Sequence, residues 1–230
     1  MCRLLYVRAT LPFAIHEHLE TFAAISKNSS EYQGHGWGCA WVRGGQWCFH
    51  HDIRPVWEAD LAGFGDTTLF LAHARSAFRN EGICVENNMP FFDGRHVFVF
   101  NGELQGVRIR EEGRIGAEKI FNYVKRFDNE GMCKSVKRGV NIIEQRTRYV
   151  RAMNFIMASL DSTYLATIFS EDPDYFQLHR RHEADIDLVC SVAYPGERNW
   201  QAIDNRSVGT LYQSGRSEVV HHKSWRRRHD

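Results

Sequence analysis

The sequence predicts an α+β fold built on antiparallel sheets. Three observations carry this. Many short apolar segments of strand character are separated by turn residues, amphipathic helical stretches lie between them, and no regular strand–helix–strand rhythm of a parallel sheet is present. Residues 4–10 have an apolar strand pattern that ends before Pro12. Residues 18–26 read as a helix with Leu19, Phe22, Ala23 and Ile25 on its apolar side. Residues 36–43 (GWGCAWVR) read as a strand turning at Gly44-Gly45 into residues 46–50 (QWCFH), a hairpin signal. Residues 68–74 (TLFLAHA) are a buried strand, and residues 96–100 (HVFVF) are another, stopped by Asn101-Gly102. Residues 116–127 carry a helical stripe of Ala117, Ile120, Phe121, Val124 and Phe127. Residues 141–160 read as helix running into strand, the strand part being 153–160; residues 164–169, 187–192 and 208–212 are further strands.

The chain of 230 residues has no repeat, no low-complexity tract and no linker, so one domain is expected over 1–230, with a core over about 2–212. Residues 213–230 form a basic C-terminal tail containing Lys223, Arg226, Arg227, Arg228 and His229, read as solvated. A net charge of +1 argues against a dedicated nucleic-acid binder. No apolar stretch reaches the ~18 residues of a membrane span, and no secretory signal is visible, so the cytoplasm is the expected compartment. There the six cysteines (2, 39, 48, 84, 133 and 190) are expected to be reduced, and they contain no Cys-x-x-Cys pair. His16, His18, Cys48, His50 and His51 fall short of a tetrahedral ligand set. Neither a metal nor a cofactor is expected, and no phosphate-binding glycine loop is present.

Three segments concentrate reactive chemistry. Cys2 follows the initiator methionine, which is readily removed before a small residue. Removal gives one residue both a thiol and a free α-amine, the amine titrating near ~8, so nucleophile and base coincide. His73-Ala74-Arg75 ends a buried strand, and Arg75 offers a fork of donors suited to a carboxylate. Residues 98–104 form a second buried strand ending in polar residues, where Asn101 offers a side-chain N–H and Gly102 an unobstructed backbone N–H. Two such donors can hold the oxyanion of a tetrahedral intermediate. Taken singly, Arg75 reads as an ion-pair residue and Asn101-Gly102 as a type I′ hairpin turn; their joint occurrence with Cys2 points to catalysis.

With these motifs the chain resembles the class II glutamine amidotransferases of the N-terminal nucleophile (Ntn) hydrolase superfamily. The matching residues are Met1-Cys2-Arg3, Gly36-Trp37-Gly38-Cys39-Ala40-Trp41, His73-Ala74-Arg75-Ser76-Ala77, Asn88-Met89-Pro90-Phe91 and Phe100-Asn101-Gly102-Glu103-Leu104. The likeness spans roughly residues 2–212 and is greatest to small stand-alone members, including γ-glutamyl amidohydrolases. It implies a four-layer αββα sandwich of two stacked antiparallel sheets. It also implies a Cys2 thioester intermediate formed on glutamine or a γ-glutamyl compound, an oxyanion hole at Asn101 and Gly102, and a substrate carboxylate on Arg75. Ammonia or an amine would be released, with a separate synthase subunit as a possible recipient.

The pattern departs from the family at the amino-acid end of the pocket. His73 and Ser76, near Arg75 in the sequence, are expected to bind substrate with it, as are the positions of Phe78, Gly116 and Glu118, but Phe78 replaces the usual threonine. Gly116 stands where the family places the aspartate for the substrate ammonium, and His35 occupies another aspartate position. Glu118 and Glu103 are alternative carboxylates. The implied substrate is therefore an amide other than free glutamine, such as a capped γ-glutamyl compound. A second reading is a catalytically altered family member that serves as a ligand- or partner-binding scaffold.

Overall fold

The computed structural model describes residues 1–215; the basic run at residues 223–229 lies outside the described residues. Among the described residues twelve strands and four α-helices are formed. The strands are β1 (Arg3–Ala14), β2 (Trp37–Arg43), β3 (Gln46–Asp52), β4 (Asp66–Ala74), β5 (Phe91–Phe92), β6 (Val97–Val107), β7 (Thr147–Ala158), β8 (Ser162–Thr167), β9 (His179–His182), β10 (Ile186–Cys190), β11 (Gln201–Ala202) and β12 (Ser207–Gln213). The helices are α1 (Ile15–Lys27), α2 (Gly116–Lys125), α3 (Met132–Gln145) and the single turn α4 (Pro173–Phe176). A seven-stranded sheet runs β11-β9-β10-β1-β4-β2-β3, and a five-stranded sheet runs β12-β8-β7-β6-β5. Neighbouring strands in both sheets pair antiparallel.

Period-two alternation sorts the side chains into layers. In the larger sheet Leu5, Val7, Trp37, Cys39, Trp41, Phe70, Ala72 and Ala74 pack with Ile15, Leu19 and Phe22 of α1. Their neighbours Leu4, Tyr6, Ala40, Leu69 and Leu71 join the other core, with Val97, Val99 and Ile156 of the smaller sheet. On β6 the opposite face carries Phe98, which stacks on Phe121 of α2 at 4.8 Å. The order of layers is thus α1, larger sheet, smaller sheet, then α2 with α3: the αββα sandwich expected from the resemblance.

Several boundaries differ from the sequence reading. β1 continues through Pro12 to Ala14, because its register against β4 shifts between Arg8 and Phe13, an irregularity that spares proline a ladder bond. β6 does not stop at Asn101-Gly102 but runs on to Val107, paired with β7 throughout. The hairpin-turn reading of that dipeptide is therefore wrong: a long partner strand overrides local turn preference. β7 starts at Thr147, six residues ahead of the expected 153, since one residue separates it from the C-terminus of α3 at Gln145.

Candidate functional site

The site is built where the central strands of the larger sheet end. Arg3 of β1 pairs with Ala74 of β4, and Trp37 of β2 pairs with the same Ala74 from the other side. One step beyond lie Cys2, Arg75 and Gly36. The Arg75 N–H donates to the Gly36 carbonyl at 2.9 Å, and the His35 N–H donates to the Arg75 carbonyl at 3.1 Å. Since Leu4 and Tyr6 face the smaller sheet, alternation puts Cys2 on that inward side too. On β6, Asn101 shares the face of Val97 and Val99, opposite Phe98, and so points toward the larger sheet.

Cys2 is buried, and its sulfur accepts the Ser76 backbone N–H at 3.4 Å. Burial pushes the thiol up, while the chain-terminal ammonium, the Ser76 N–H and the Arg75 guanidinium all pull it down. Ser76 thus meets the nucleophile through its backbone. Arg75 is 5% exposed; its Nη2 reaches the Glu81 carbonyl at 3.5 Å, and its buried Nη1 has no partner. Among the described residues it has no carboxylate in ion-pair contact. His35 accepts the Ala77 N–H on Nδ1 at 2.9 Å, which orders the segment after Arg75. This histidine does in its own way the structural work of a polar residue before Gly36. Burial, then the Arg75 charge, keeps its imidazole below the usual range.

His73 is fully buried, with Nε2 on the Phe100 carbonyl at 3.1 Å. The bond crosses from one sheet to the other and fixes the backbone one residue before Asn101. Both side-chain polar atoms of Asn101 are buried without a partner. Across the ladder sits Asn154, whose amide by contrast donates to the Phe176 carbonyl at 2.8 Å and accepts from the Thr167 hydroxyl at 2.8 Å. A Cβ added to Gly102 would lie 2.1 Å from the Ala152 carbonyl oxygen. Close approach to β7 requires glycine here.

The residues expected at the amino-acid end are spread more widely. Phe78 stands in a short helical turn, 58% exposed. Gly116 opens α2, with nothing within 4 Å of an added Cβ. Glu118 is committed to Arg114, with Nη2 to Oε1 at 2.6 Å, and Glu103 lies 3.5 Å from Arg151. Neither glutamate is a free carboxylate. Arg114, Glu118, Glu86, His51, Asn88 and Phe91 are among the residues lining a cavity of about 340 Å³. It adjoins the centre through Asn88, whose amide occupies the space against Gly36.

Residues that the sequence reading did not single out surround the chain start. The Met1 carbonyl accepts from Gln33 Nε2 at 2.6 Å and from the Tyr175 hydroxyl, and the Met1 ammonium pairs with Glu31. Arg3 lies over the Tyr175 ring, 3.9 Å from its centroid. These contacts join segments about 30 and 170 residues apart, and no motif announces them.

No family model matches the sequence, and no curated protein sequence matches it. Solved structures do. A glutamine aminotransferase class-II domain protein from Silicibacter pomeroyi superposes with a TM-score of 0.56 at 16% identity, covering 89% of this chain and 92% of that one. A predicted glutamine amidotransferase from Pseudomonas aeruginosa gives 0.54 at 17% identity, covering 94% and 98%. The glutamine phosphoribosylpyrophosphate amidotransferase of B. subtilis gives 0.58 at 15% identity, covering 83% of this chain and 42% of that one.

The chain has the fold of a class II glutamine amidotransferase domain.

Two stacked antiparallel sheets thus hold Cys2 at a strand start, beside Arg75 and Gly36 at the ends of the neighbouring strands. Among the described residues no helix is long and apolar enough to cross a membrane.

Proposed function

We propose that this amidotransferase fold carries an amide hydrolase whose nucleophile is Cys2 after removal of Met1. The observation that bears most weight is the pairing of a buried thiol, with the Ser76 N–H on its sulfur, and the adjacent Arg75, whose buried Nη1 lacks a partner. The thiol proton passes to the Cys2 α-amine as sulfur attacks the amide carbon. The oxyanion is held by Asn101 Nδ2 and the Gly102 N–H. The resulting ammonium returns its proton to the leaving nitrogen as the C–N bond breaks, giving a thioester and ammonia or an amine. Water activated by the same amine then cleaves the thioester, so amide plus water becomes acid plus amine.

Arg75 is the seat for a substrate carboxylate. Phe78 and Gly116 supply no polar side chain, and Glu118 and Glu103 are both bound to arginines, so none of the positions expected to meet a substrate ammonium offers it an unpaired carboxylate. A γ-glutamyl compound with a capped or absent α-ammonium suits this pocket better than free glutamine. The released amine is either discarded or passed to a separate synthase subunit. The six free cysteines suit a reducing, cytoplasmic setting.

The experiment measures ammonia and amine release from free glutamine, N-acylglutamine and γ-glutamyl amides, using Met1-processed protein and its Cys2→Ala variant. Turnover of a capped substrate that is lost in Cys2→Ala supports the reading. Free glutamine turned over best would refute the substrate assignment. Phe78 and Gly116 also favour the second reading, a binding scaffold without catalysis. That reading gains if no amide is cleaved and a glutamine-like diazo-ketone fails to label Cys2.

A further inference from the structure

Met1 is met on all three sides that an amino acid offers. Its ammonium pairs with Glu31 Oε2. Its carbonyl accepts from Gln33 Nε2 at 2.6 Å and from the Tyr175 hydroxyl. Its side chain, 11% exposed, packs with Tyr175 against Ala152, Phe169 and Phe176. Each wall of this seat is held by something other than Met1. Gln33 is fully buried, and its Nε2 also donates to the Glu31 carbonyl at 2.8 Å. Arg3 Nη1 donates to the Tyr175 carbonyl at 3.0 Å, and its guanidinium lies over the Tyr175 ring. Arg151 engages the other Glu31 oxygen, Oε1, at 3.5 Å. Ala152 and Phe176 are fully buried.

A cavity of about 430 Å³ opens beside the seat, lined by Ser30, Glu31, Asp172, Pro173, Asp174 and Tyr175. Glu31 and Tyr175 belong to both. The volume falls within the ~300–1,000 Å³ of small-ligand pockets, and three carboxylates on its wall draw in a cationic group.

Removal of Met1 breaks one bond, from its carbonyl carbon to the Cys2 nitrogen. Glu31, the two donors and the apolar niche are left without their occupant. A free α-amino acid supplies the ammonium, the oxygen and the side chain in one piece. Its carboxylate oxygen stays near Gln33 and Tyr175. That oxygen lay about 2.3 Å from the Cys2 nitrogen in the peptide and reaches ion-pair distance by moving about 0.5 Å, while the carbon swings away. We propose, resting on the hydrolase reading above for the loss of Met1, that the vacated seat binds a free L-α-amino acid with an unbranched apolar side chain, methionine or one of its shape. The bound carboxylate faces the Cys2 ammonium and favours its charged form, so an occupant withholds the base and slows amide turnover.

The test is calorimetric titration of the full chain before and after removal of Met1, each form verified by intact mass. The probes are L-methionine, L-norleucine, N-acetyl-L-methionine and L-aspartate. L-Methionine and L-norleucine should bind the processed chain with Kd of about 1 mM or below. Binding to the chain that keeps Met1 should be at least about tenfold weaker, because its seat is filled. N-acetyl-L-methionine, which lacks the ammonium, and L-aspartate, which lacks the apolar side chain, should each lose about tenfold. Glu31→Gln in the processed chain should weaken L-methionine about tenfold, since a charged partner is lost. Absence of binding to the processed chain, as when the Cys2 ammonium closes on Glu31 itself, overturns the inference, as does equal binding to both forms. Should Glu31→Gln fail to fold, the two forms of the wild type decide. Saturating L-methionine should also lower kcat/KM for amide release by about threefold or more, and unchanged turnover overturns the effect on the amine. Binding in a protein that cleaves no amide leaves the seat standing and removes the hydrolase reading. Amide cleavage without binding removes the seat alone.

Discussion

His73 of one sheet holds the Phe100 carbonyl of the other at 3.1 Å, one residue before Asn101. A carbonyl only accepts, so His73 carries its hydrogen on Nε2 and is neutral there. His73→Leu keeps the bulk and leaves the Phe100 carbonyl short of a donor. Such a loss costs about 1–3 kcal/mol. The urea midpoint should fall accordingly. An unchanged midpoint would mean that apolar packing alone aligns the sheets.

The same histidine makes stability depend on pH. Burial pushes His73 down to about 3, and burial likewise pushes His18 down to about 4. Both titrate near ~6.5 in the unfolded chain. Between those values the unfolded state binds more protons, so stability is full above about 6.5 and falls as pH drops toward 4. Urea midpoints should be level between pH 7 and 8 and decline below pH 6.5, less steeply in His73→Leu. An identical slope in that variant would exclude His73 as a source.

Gly102→Ala is expected to be costly for a steric reason. Its Cβ would come 2.1 Å from the Ala152 carbonyl oxygen on the neighbouring strand. Backbone must move, and overpacking of this kind costs about 1–3 kcal/mol. Amide turnover should fall further than stability, because the shift displaces the Gly102 N–H. Thermal denaturation and kinetics on one preparation separate the two effects. Retained activity in a destabilised protein would argue against an oxyanion role for that N–H.

The α+β class was legible in short apolar strands such as 68–74 and 96–100 without a strand–helix–strand rhythm. The sandwich followed only from the resemblance, because a strand buried on both faces, with Leu71 on one side and Phe70 and Ala72 on the other, does not tell which sheet lies against it. What misled was local turn chemistry. Asn101-Gly102 has hairpin preference, yet a twelve-residue partner strand carries β6 through it. The candidate residues Cys2, Arg75 and Asn101 stood out because polar groups stand at or near the ends of apolar strands there. Gln33, Glu31 and Tyr175 did not, since each is ordinary in its own segment and acquires meaning only from the chain start that folds against it.

Arg75 offers a division between charge and shape. Arg75→Lys keeps the cation but loses the planar fork, and lysine cannot reproduce bidentate contact with a carboxylate. KM for a carboxylate-bearing amide should rise by about tenfold or more, equivalent to ~1.4 kcal/mol, with kcat within about threefold. The N-terminal thiol should still react with a small alkylating agent at near wild-type rate. A fall in kcat with unchanged KM would instead tie Arg75 to the ionisation of Cys2, whose thiolate its charge favours.

Arg151 tests how the chain start is anchored. Its guanidinium meets Glu171 at 2.6 Å, Asp172 at 2.8 Å, and Glu31 and Glu103 at 3.5 Å each. Four carboxylates thus converge on one cation, and Glu31 in turn pairs with the Met1 ammonium. Arg151→Met removes the charge while keeping a long apolar stem. The carboxylates then repel one another across a partly exposed surface, where each such pair contributes on the order of 0.2–1 kcal/mol. The destabilisation should shrink in about 0.5 M salt, because screening shortens the reach of each charge to a few ångströms. Urea midpoints at two salt concentrations read this directly. If the loss is the same at both, packing rather than charge explains it. The contact then responsible is Arg151 over the Phe176 ring, 5.3 Å from its centroid, because that stacking is the part of the guanidinium's environment that salt hardly touches.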